Sequence, residues 1–283
     1  MKSGSGHKPS EISEIDRQRH YWDSNLDPEN LGRKKKRAMK DLNRDLEFYF
    51  SPEQKYALKK MWGTYGIRGK RILEIGSGMG VFALFLAKQE AEVYVIDISI
   101  ERLQRLRREA NRHGVSEHIH IICGEAERLP FCSEFFDIVY TKSVLIHTKL
   151  KEAAYEASRI LKPGGSGIFV EPMTGNPFAR FYRRFLGPEE WKSITKYFDR
   201  KRLKTLCSPF SRAVVRYFYL FGFLAFIFQF GVRNLTLFKA GLRILGAIDK
   251  FLFTIIPAFK KLSWFAVVSV SKENKTGEYY GQD

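Results

Sequence analysis

Cysteine is scarce in this sequence: the 283 residues include only Cys123, Cys132 and Cys207. Three cysteines at irregular spacing form neither a disulfide framework nor the paired spacing of a zinc site, and this count fits a reducing cytoplasm. Histidine is also infrequent. His118 and His120 alternate along a predicted strand without ligand partners nearby in the sequence, so no metal site is expected there.

Long hydrophobic runs are missing as well. Residues 1–20 are polar and charged, a composition unlike that of a secretory signal. Uncharged sequence runs from 217 to 232, which is shorter than the roughly 20 apolar residues that a spanning helix needs. Since part of this run is also predicted as a strand, no transmembrane span is expected.

Acidic residues are outnumbered, with 31 Asp and Glu against 48 Lys and Arg, for a net charge of +17. This excess indicates an anionic partner: a nucleic acid, a phosphorylated substrate or an anionic membrane surface. The basic run 33–37 allows three interpretations, a solvated helix face, a lipid patch or a nucleic-acid patch, of which the first is the default. The absence of any recognisable RNA-binding module argues against nucleic acid.

Short apolar runs alternate with amphipathic stretches from residue 66 to 172, the pattern of repeated strand–helix units. Because such units cross over right-handedly, they predict a parallel sheet covered on both faces, a doubly wound α/β fold. The predicted strands are 71–75, 93–96, 119–122, 136–140 and 167–170. The predicted helices are 81–88, one from the N-cap Ser99 to Gly114, and 151–161.

A glycine-rich turn follows the first strand, at Gly76, Gly78 and Gly80. Glycine tolerates positive φ and lets the backbone approach a ligand closely, but the third glycine comes one position too early for a dinucleotide motif. Asp97 ends the second strand, where a carboxylate can accept both hydroxyls of a ribose. Glu125 follows the third strand, where it could lie near an adenine.

Four segments in order resemble the class I S-adenosylmethionine-dependent methyltransferases, especially the methyltransferase type 11 group. They are Leu-Glu-Ile-Gly-Ser-Gly-Met-Gly at 73–80, Val-Ile-Asp-Ile-Ser at 95–99, Gly-Glu-Ala-Glu-Arg-Leu-Pro-Phe at 124–131 and Arg-Ile-Leu-Lys-Pro-Gly-Gly at 159–165. The resemblance covers roughly residues 71–172. It implies a Rossmann-like sheet of seven strands with S-adenosylmethionine lying across its carboxyl edge.

The resemblance also implies which residues bind this cofactor. Glu74 and the glycines would line the methionine side, Asp97 would hold the ribose, Ala126 would flank the adenine and Thr141 would lie near the methionine end. The full set of expected cofactor-binding residues is Glu74, Gly76, Gly78, Gly80, Asp97, Ile98, Glu125, Ala126 and Thr141.

Methyl transfer from a sulfonium is an in-line displacement, which needs a base only if the acceptor must lose a proton. His147 is the leading candidate, and resemblance to phosphoethanolamine methyltransferases pairs it with Tyr21 of an N-terminal lid. Its alternative role is to cap or pack the following helix. Glu171, at the end of the fifth strand, points towards the cleft by topology or holds the loop at Pro172.

About forty residues separate the predicted sixth strand, 213–220, from the seventh, 264–271. This length predicts a helical insertion on the cofactor side that caps an acceptor pocket. It contains nine phenylalanines and six basic residues against Asp249 alone. That composition fits an interfacial element lying on an anionic bilayer, or a cap whose apolar face covers the protein's own pocket.

The predicted organisation has four segments: an N-terminal helical extension or lid (1–65), a cofactor-binding core (66–220), the basic hydrophobic insertion (221–263), and a last strand with a tail (264–283). The expected function is methyl transfer to a small, lipophilic or membrane-associated acceptor by a cytoplasmic protein, peripheral on the inner face of a membrane. The alternatives are a soluble metabolite, sugar or phosphobase as acceptor, or an RNA methyltransferase or RNA-binding protein. Many base-methylating relatives carry an Asn-Pro-Pro-Tyr-like segment after strand four, and this chain does not.

Overall fold

A seven-stranded sheet forms the centre of the protein. The computed structural model describes residues 13–24, 51–63, 66–185, 194–230, 232 and 234–273, so the basic run 33–37 lies outside the described residues. The strand order is β3-β2-β1-β4-β5-β7-β6, with β7 antiparallel to both of its neighbours and the other pairs parallel. The strands are β1 Arg71–Ile75, β2 Glu92–Asp97, β3 Ile119–Cys123, β4 Phe136–Lys142, β5 Leu161–Pro172, β6 Arg212–Phe218 and β7 Phe265–Ser271. The predicted doubly wound α/β fold is confirmed.

Helices cover both faces of this sheet. They are α1 Glu14–Ser24, α2 Pro52–Trp62, α3 Val81–Ala87, α4 Ile100–Arg112, α5 Leu150–Ile160, α6 Pro177–Phe185, α7 Arg200–Cys207, α8 Phe226–Phe230 and α9 Leu235–Ile255. Because successive side chains of a strand point to opposite faces, Ile72 packs in one core with α2, α3 and α4, whereas Leu73 packs in another with α5 and α7. Because β1 pairs in parallel with both β2 and β4, the carboxyl ends of these three strands meet at one edge.

Local signals explain both ends of α4. The Ser99 hydroxyl accepts a hydrogen bond from the Arg102 amide at 3.3 Å, as expected of an N-cap. Gly114, just beyond the end of α4, has a φ of +65°, which suits the residue after a helix. Both features agree with the sequence prediction for this helix.

Strand β5 starts six residues earlier than predicted. Leu161 is fully buried and pairs with Phe136, and Ser166 then pairs with Ile138, so the segment 162–165 bulges out between the two pairs. The motif predicted as a turn before the strand is thus a bulge within it. Leu161 starts the strand because it is buried and paired with Phe136. The proline and glycines that follow it predict a turn, so the sequence did not indicate this pairing.

The insertion between β6 and β7 is helical, as predicted. It contains α8 and α9 together with short 3-10 helices at Gly222–Ala225 and Pro257–Leu262. Asp249 of α9 accepts hydrogen bonds from the amides of Leu220, Phe221 and Gly222, which fixes α9 against the turn after β6. In the described part of the chain, no helix combines the length and apolarity that a membrane span requires.

Asn176 ties the insertion to the end of β5. Its fully buried side-chain amide donates to the carbonyls of Tyr219, Leu220 and Leu262, and its oxygen accepts from the amides of Phe178 and Ala179 at the start of α6. A single polar side chain thereby joins β5, α6 and both ends of the insertion.

Candidate active site

A cavity of about 240 Å³ opens at the carboxyl ends of β1, β2 and β4. Seven of the residues predicted from the sequence line it: Gly76, Gly78, Asp97, Ile98, Glu125, Ala126 and His147. Gln18 and Trp22 of α1 also line it, as do Arg102 of α4 and Lys142 at the end of β4. We call this space the cofactor cavity.

Backbone conformation requires glycine in the turn after β1. Gly76, Gly78 and Gly80 have φ values of +82°, +52° and +76°. A Cβ on Gly76 would lie 2.3 Å from the Val144 Cγ2, and one on Gly80 would lie 2.8 Å from the Leu106 Cδ1. Gly76 and Gly78 therefore bring bare backbone to the cavity wall, whereas Gly80 lies behind it and allows close packing against α4.

Asp97 shapes this turn from the end of β2. Its Oδ2 accepts hydrogen bonds from the Ser77 amide at 2.7 Å and the Ser77 hydroxyl at 3.0 Å, and its Oδ1 accepts from the Ser99 amide at 2.9 Å. A carboxylate oxygen has two lone pairs, so Oδ1 retains acceptor capacity towards the cavity. Its role as the ribose ligand stays a prediction.

Glu74 lies behind the glycine turn and does not line the cavity. Burial, reinforced by the charge of Asp97, raises the pKa of the Glu74 carboxyl well above its ordinary value. Among the described residues, its Oε2 has no hydrogen-bond partner. A buried carboxyl with one unpaired oxygen so close to a ligand cavity is a candidate for contact with a bound group.

Thr141 and Glu171 form a pair that is buried beneath the segment after β4. The Thr141 hydroxyl donates to the Glu171 Oε1 at 2.9 Å, and the Leu145 amide donates to the same oxygen at 3.2 Å. Burial raises the pKa of Glu171 to about 7. Neither residue lines the cavity. The loop that Glu171 holds is therefore the one approaching His147, rather than the one at Pro172.

His147 lies between the cofactor cavity and α1. Its Nδ1 is 3.2 Å from the Ile194 carbonyl oxygen, and the Gln18 side-chain amide donates to its backbone carbonyl at 2.9 Å. Because a carbonyl only accepts, this contact assigns the proton to Nδ1 and leaves Nε2 as the acceptor in the neutral ring. Burial lowers the pKa of His147 below its ordinary value of 6.5, which favours that neutral form.

Trp22, rather than Tyr21, is the aromatic residue of α1 that reaches the cavity. The Trp22 ring packs edge-on against His147 at 5.4 Å, whereas Tyr21 contacts Trp22 at 4.9 Å and lies outside the cavity wall. Arg102 sits over the Trp22 ring at 4.5 Å. The helix is also anchored by the Ser99 hydroxyl, which donates to Asp23 at 2.6 Å. The proposed pairing of Tyr21 with His147 therefore lacks a direct contact.

Sequence reasoning missed a buried polar group beside the cavity. Lys142 lines the cavity and places its Nζ 3.4 Å from the Glu53 Oε1 of α2. Glu53 is buried and also accepts hydrogen bonds from the hydroxyls of Ser51 and Tyr219. Tyr219 lies 166 positions from Glu53 in the chain, so no local spacing could have revealed this contact. No group of three or more potential metal ligands occurs among the described residues.

Comparison with known proteins finds similarity across the region that forms this cleft. Residues 73–169 match the family model described as a methyltransferase domain. The chain is 30% identical over 107 residues to a sarcosine/dimethylglycine N-methyltransferase of Aphanothece halophytica, which covers 37% of this chain and 39% of that protein. The first three curated relatives are matched over 23–39% of their own length.

Solved structures extend the likeness of fold to most of the chain. A geranyl diphosphate C-methyltransferase from Streptomyces coelicolor A3(2) superposes with a TM-score of 0.60 at 13% identity, covering 93% of this chain and 99% of that one. A phosphoethanolamine N-methyltransferase 2 from Haemonchus contortus gives a TM-score of 0.60 at 17% identity, covering 89% and 61%. At these identities the likeness concerns the fold alone.

Proposed function

We propose that this chain is a class I S-adenosylmethionine-dependent methyltransferase, and that it transfers a methyl group to a small lipophilic acceptor held at an anionic membrane surface. The cofactor is S-adenosylmethionine, which supplies an activated methyl group on a sulfonium. The chain's own residues must therefore bind this cofactor, align the acceptor for in-line displacement and exclude water.

The residues of the cofactor cavity fit this cofactor. Gly76 and Gly78 present backbone to the cavity, and the carboxylates of Asp97, Glu125 and Glu127 line its wall. Carboxylates suit a ligand that carries ribose hydroxyls, an amino group and a positive sulfonium. His147, neutral at Nε2, is the candidate base for an acceptor that must lose a proton.

The observation that carries the membrane proposal is the exposed apolar surface of α9 and α6. Five residues on one face of α9 are exposed: Leu237, Ile244, Ile248, Phe251 and Ile255. Their spacings of seven, four, three and four residues place them along one stripe of the helix. Phe178, Phe181 and Phe185 form a second exposed stripe on α6. Surfaces of this kind indicate contact with a membrane or a partner.

Charge favours an anionic bilayer as the partner. Lys239, Arg243 and Lys250 are exposed as well, and the helical period places them on the side of α9 away from the apolar stripe. The one acid of that helix, Asp249, is buried and bonded to backbone amides. Cations on the polar face of a helix attract anionic headgroups while the apolar face enters the interface, as in amphipathic interfacial helices.

Methyl transfer is tested with S-adenosylmethionine labelled at its methyl group. The full chain is incubated with a total lipid extract and, separately, with an aqueous metabolite extract of the source cells. We expect label to move into the organic phase in the first incubation. Label that remains in a small aqueous product would assign a soluble acceptor such as a metabolite, sugar or phosphobase instead.

Membrane binding is tested by sedimentation with vesicles of phosphatidylglycerol and phosphatidylcholine in equal parts, compared with phosphatidylcholine alone. The double variant Ile244→Asn/Phe251→Asn should weaken binding at least about tenfold, because two side chains that are each 63% exposed would no longer enter the bilayer. Tyr155→Asn, which removes a 62% exposed ring of α5, is the matched control and should bind as the parent does. Equal recovery of all variants in the supernatant would contradict the proposal.

A further inference from the structure

A second cavity, of about 640 Å³, lies along the edge strand β6. It is enclosed by α2 on one side and by α9 with the Pro257–Leu262 helix on the other, and it shares no lining residue with the cofactor cavity. Its walls are mainly aromatic, with Tyr56, Tyr217, Phe218, Tyr219 and Phe253. The volume lies within the range of cavities that hold small ligands. We call it the β6 cavity.

Positive charge dominates the β6 cavity. Arg216, Lys250 and Lys260 line it, against one carboxylate, that of Asp249. Asp249 already accepts hydrogen bonds from three backbone amides. The Arg216 guanidinium stacks over the Tyr56 ring at 4.7 Å, and no carboxylate among the described residues lies within 4.0 Å of the three cations. These cations are available to an anionic ligand.

Gly246 is a second observation on this cavity, because it leaves part of the cavity wall without a side chain. A glycine inside a helix destabilises it by roughly 0.8–1 kcal/mol relative to alanine, and α9 contains two. Gly241 has a packing reason, since its Cβ would lie 3.2 Å from the Ala225 Cβ. A Cβ on Gly246 would meet nothing within 4 Å, and its position faces the β6 cavity. Packing within the protein therefore does not account for Gly246, and a side chain larger than that of alanine at this position would extend into the cavity.

We propose that the β6 cavity binds an anionic amphiphile, with its phosphate or carboxylate head at Arg216, Lys250 and Lys260 and its hydrocarbon body against the aromatic walls. Cations match the head, and aromatic rings match the body. The proposal rests on this cavity and does not depend on methyl transfer.

Calorimetry with dodecyl phosphate below its micellar concentration tests the site. Gly246→Phe places a ring in the cavity without removing a charge and should weaken binding at least about tenfold. Gly246→Ala removes the same helix-destabilising glycine but leaves the cavity open, so it should bind as the parent does. Retained affinity for S-adenosylmethionine in both variants verifies that the chain is folded. Equal binding of dodecyl phosphate by Gly246→Phe and Gly246→Ala would overturn the proposal.

A second pair of variants tests the charge. Arg216→Gln should weaken binding about two- to fivefold, the effect of one exposed ionic contact. Arg243→Gln removes an exposed cation of α9 that does not line the cavity and should have no effect on this probe. Dodecyl maltoside and inorganic phosphate, which each lack one half of the expected ligand, should bind much more weakly. Binding of dodecyl maltoside as tight as that of dodecyl phosphate would overturn the anionic assignment.

Vesicle sedimentation identifies the source of the ligand. If a bilayer phospholipid occupies the cavity, Gly246→Phe also lowers binding to phosphatidylglycerol vesicles. If the ligand is a free amphiphile, the variant loses dodecyl phosphate binding alone. Both results support the site, whereas undetectable dodecyl phosphate binding by the parent chain contradicts it.

Discussion

Asp97 and Asp249 have similar structural roles beside two cavities of opposite charge. Each is a buried aspartate that fixes a turn by accepting three hydrogen bonds. Around Asp97, the cofactor cavity has three carboxylates and two cations, Arg102 and Lys142. Around Asp249, the β6 cavity has three cations and no second carboxylate.

The two regions also differ in the groups that they expose to a ligand. The cofactor cavity presents glycine backbone and carboxylates at strand ends, so its chemistry is tied to backbone positions. The family model covers this region and ends at residue 169, before the insertion. The insertion presents exposed apolar and basic side chains instead, and no backbone motif like the glycine turn is found among its described residues.

The largest expected effect concerns His147, which lines the cofactor cavity where α1 covers it. If its Nε2 takes a proton from the acceptor, His147→Ala should lower turnover by about two to four orders of magnitude with little change in cofactor affinity. The pH profile of the parent should lose activity on the acid side, below the ordinary pKa of 6.5, because burial lowers the pKa of this ring.

His118→Ala, which removes an exposed histidine far along the sheet edge, is the control for turnover. Unchanged turnover of His147→Ala would return this residue to packing against Trp22.

Glu171 provides the next largest effect, on stability. Its folded pKa of about 7 lies above the ordinary 4.5, so the folded state holds a proton that the unfolded state releases. This stabilisation is complete below about pH 4.5 and is lost as pH rises through 7. The Glu171 carboxyl should therefore account for about 3 kcal/mol of the unfolding free energy that the parent loses over that window. Glu171→Gln should lose less by that amount, while the contribution of Glu74 remains in both chains.

Urea unfolding at pH 5 and pH 8 measures this difference. The exposed Glu101→Gln is the matched control and should follow the parent. Parallel pH dependence in Glu171→Gln and the parent would mean that this carboxyl is not neutral in the folded protein.

Replacing each of the two aspartates by alanine should separate their roles. Asp97→Ala should weaken S-adenosylmethionine binding by roughly 1–3 kcal/mol, since charge-assisted hydrogen bonds to the glycine turn and to the ligand are lost. Asp249→Ala removes as many turn contacts but should leave cofactor affinity unchanged while lowering the melting temperature. Calorimetry with both variants tests this, and equal loss of cofactor affinity in the two would erase the distinction.

The smallest expected effect concerns one cation of α9. Arg243→Gln should weaken binding to anionic vesicles by about 1 kcal/mol and make it less sensitive to salt. Arg108→Gln, an exposed arginine of α4, should bind as the parent does. Identical salt dependence in Arg243→Gln and the parent would remove α9 from the membrane contact.

The cofactor-binding region could be predicted well, because the sequence signals that identify it are local. Strand β2 ends at Asp97 as expected, and the three glycines all have positive φ. Strand β4 extends two residues beyond its predicted end, to Lys142, because the pairing with β5 continues there. Strand ends depend on a neighbouring strand, which periodicity within one strand does not report.

Contacts between distant side chains were beyond sequence reasoning. Trp22 touches His147, and Tyr219 donates to Glu53, across 125 and 166 positions of chain. Neither pair has a spacing that marks it, since each depends on how whole elements pack. The insertion's helices followed from its length, but the β6 cavity beneath them did not.

The hydrogen bonds of Asn176 have a consequence for removing the insertion from this protein. Excising the insertion would remove the Leu262 carbonyl and free the turn at Tyr219 and Leu220, so a buried amide would lose its acceptors. An unpaired buried donor costs about 1–3 kcal/mol. The insertion is therefore not a detachable module, and a minimal core made by loop replacement should be less stable by about this amount unless the new turn supplies acceptors for the Asn176 amide.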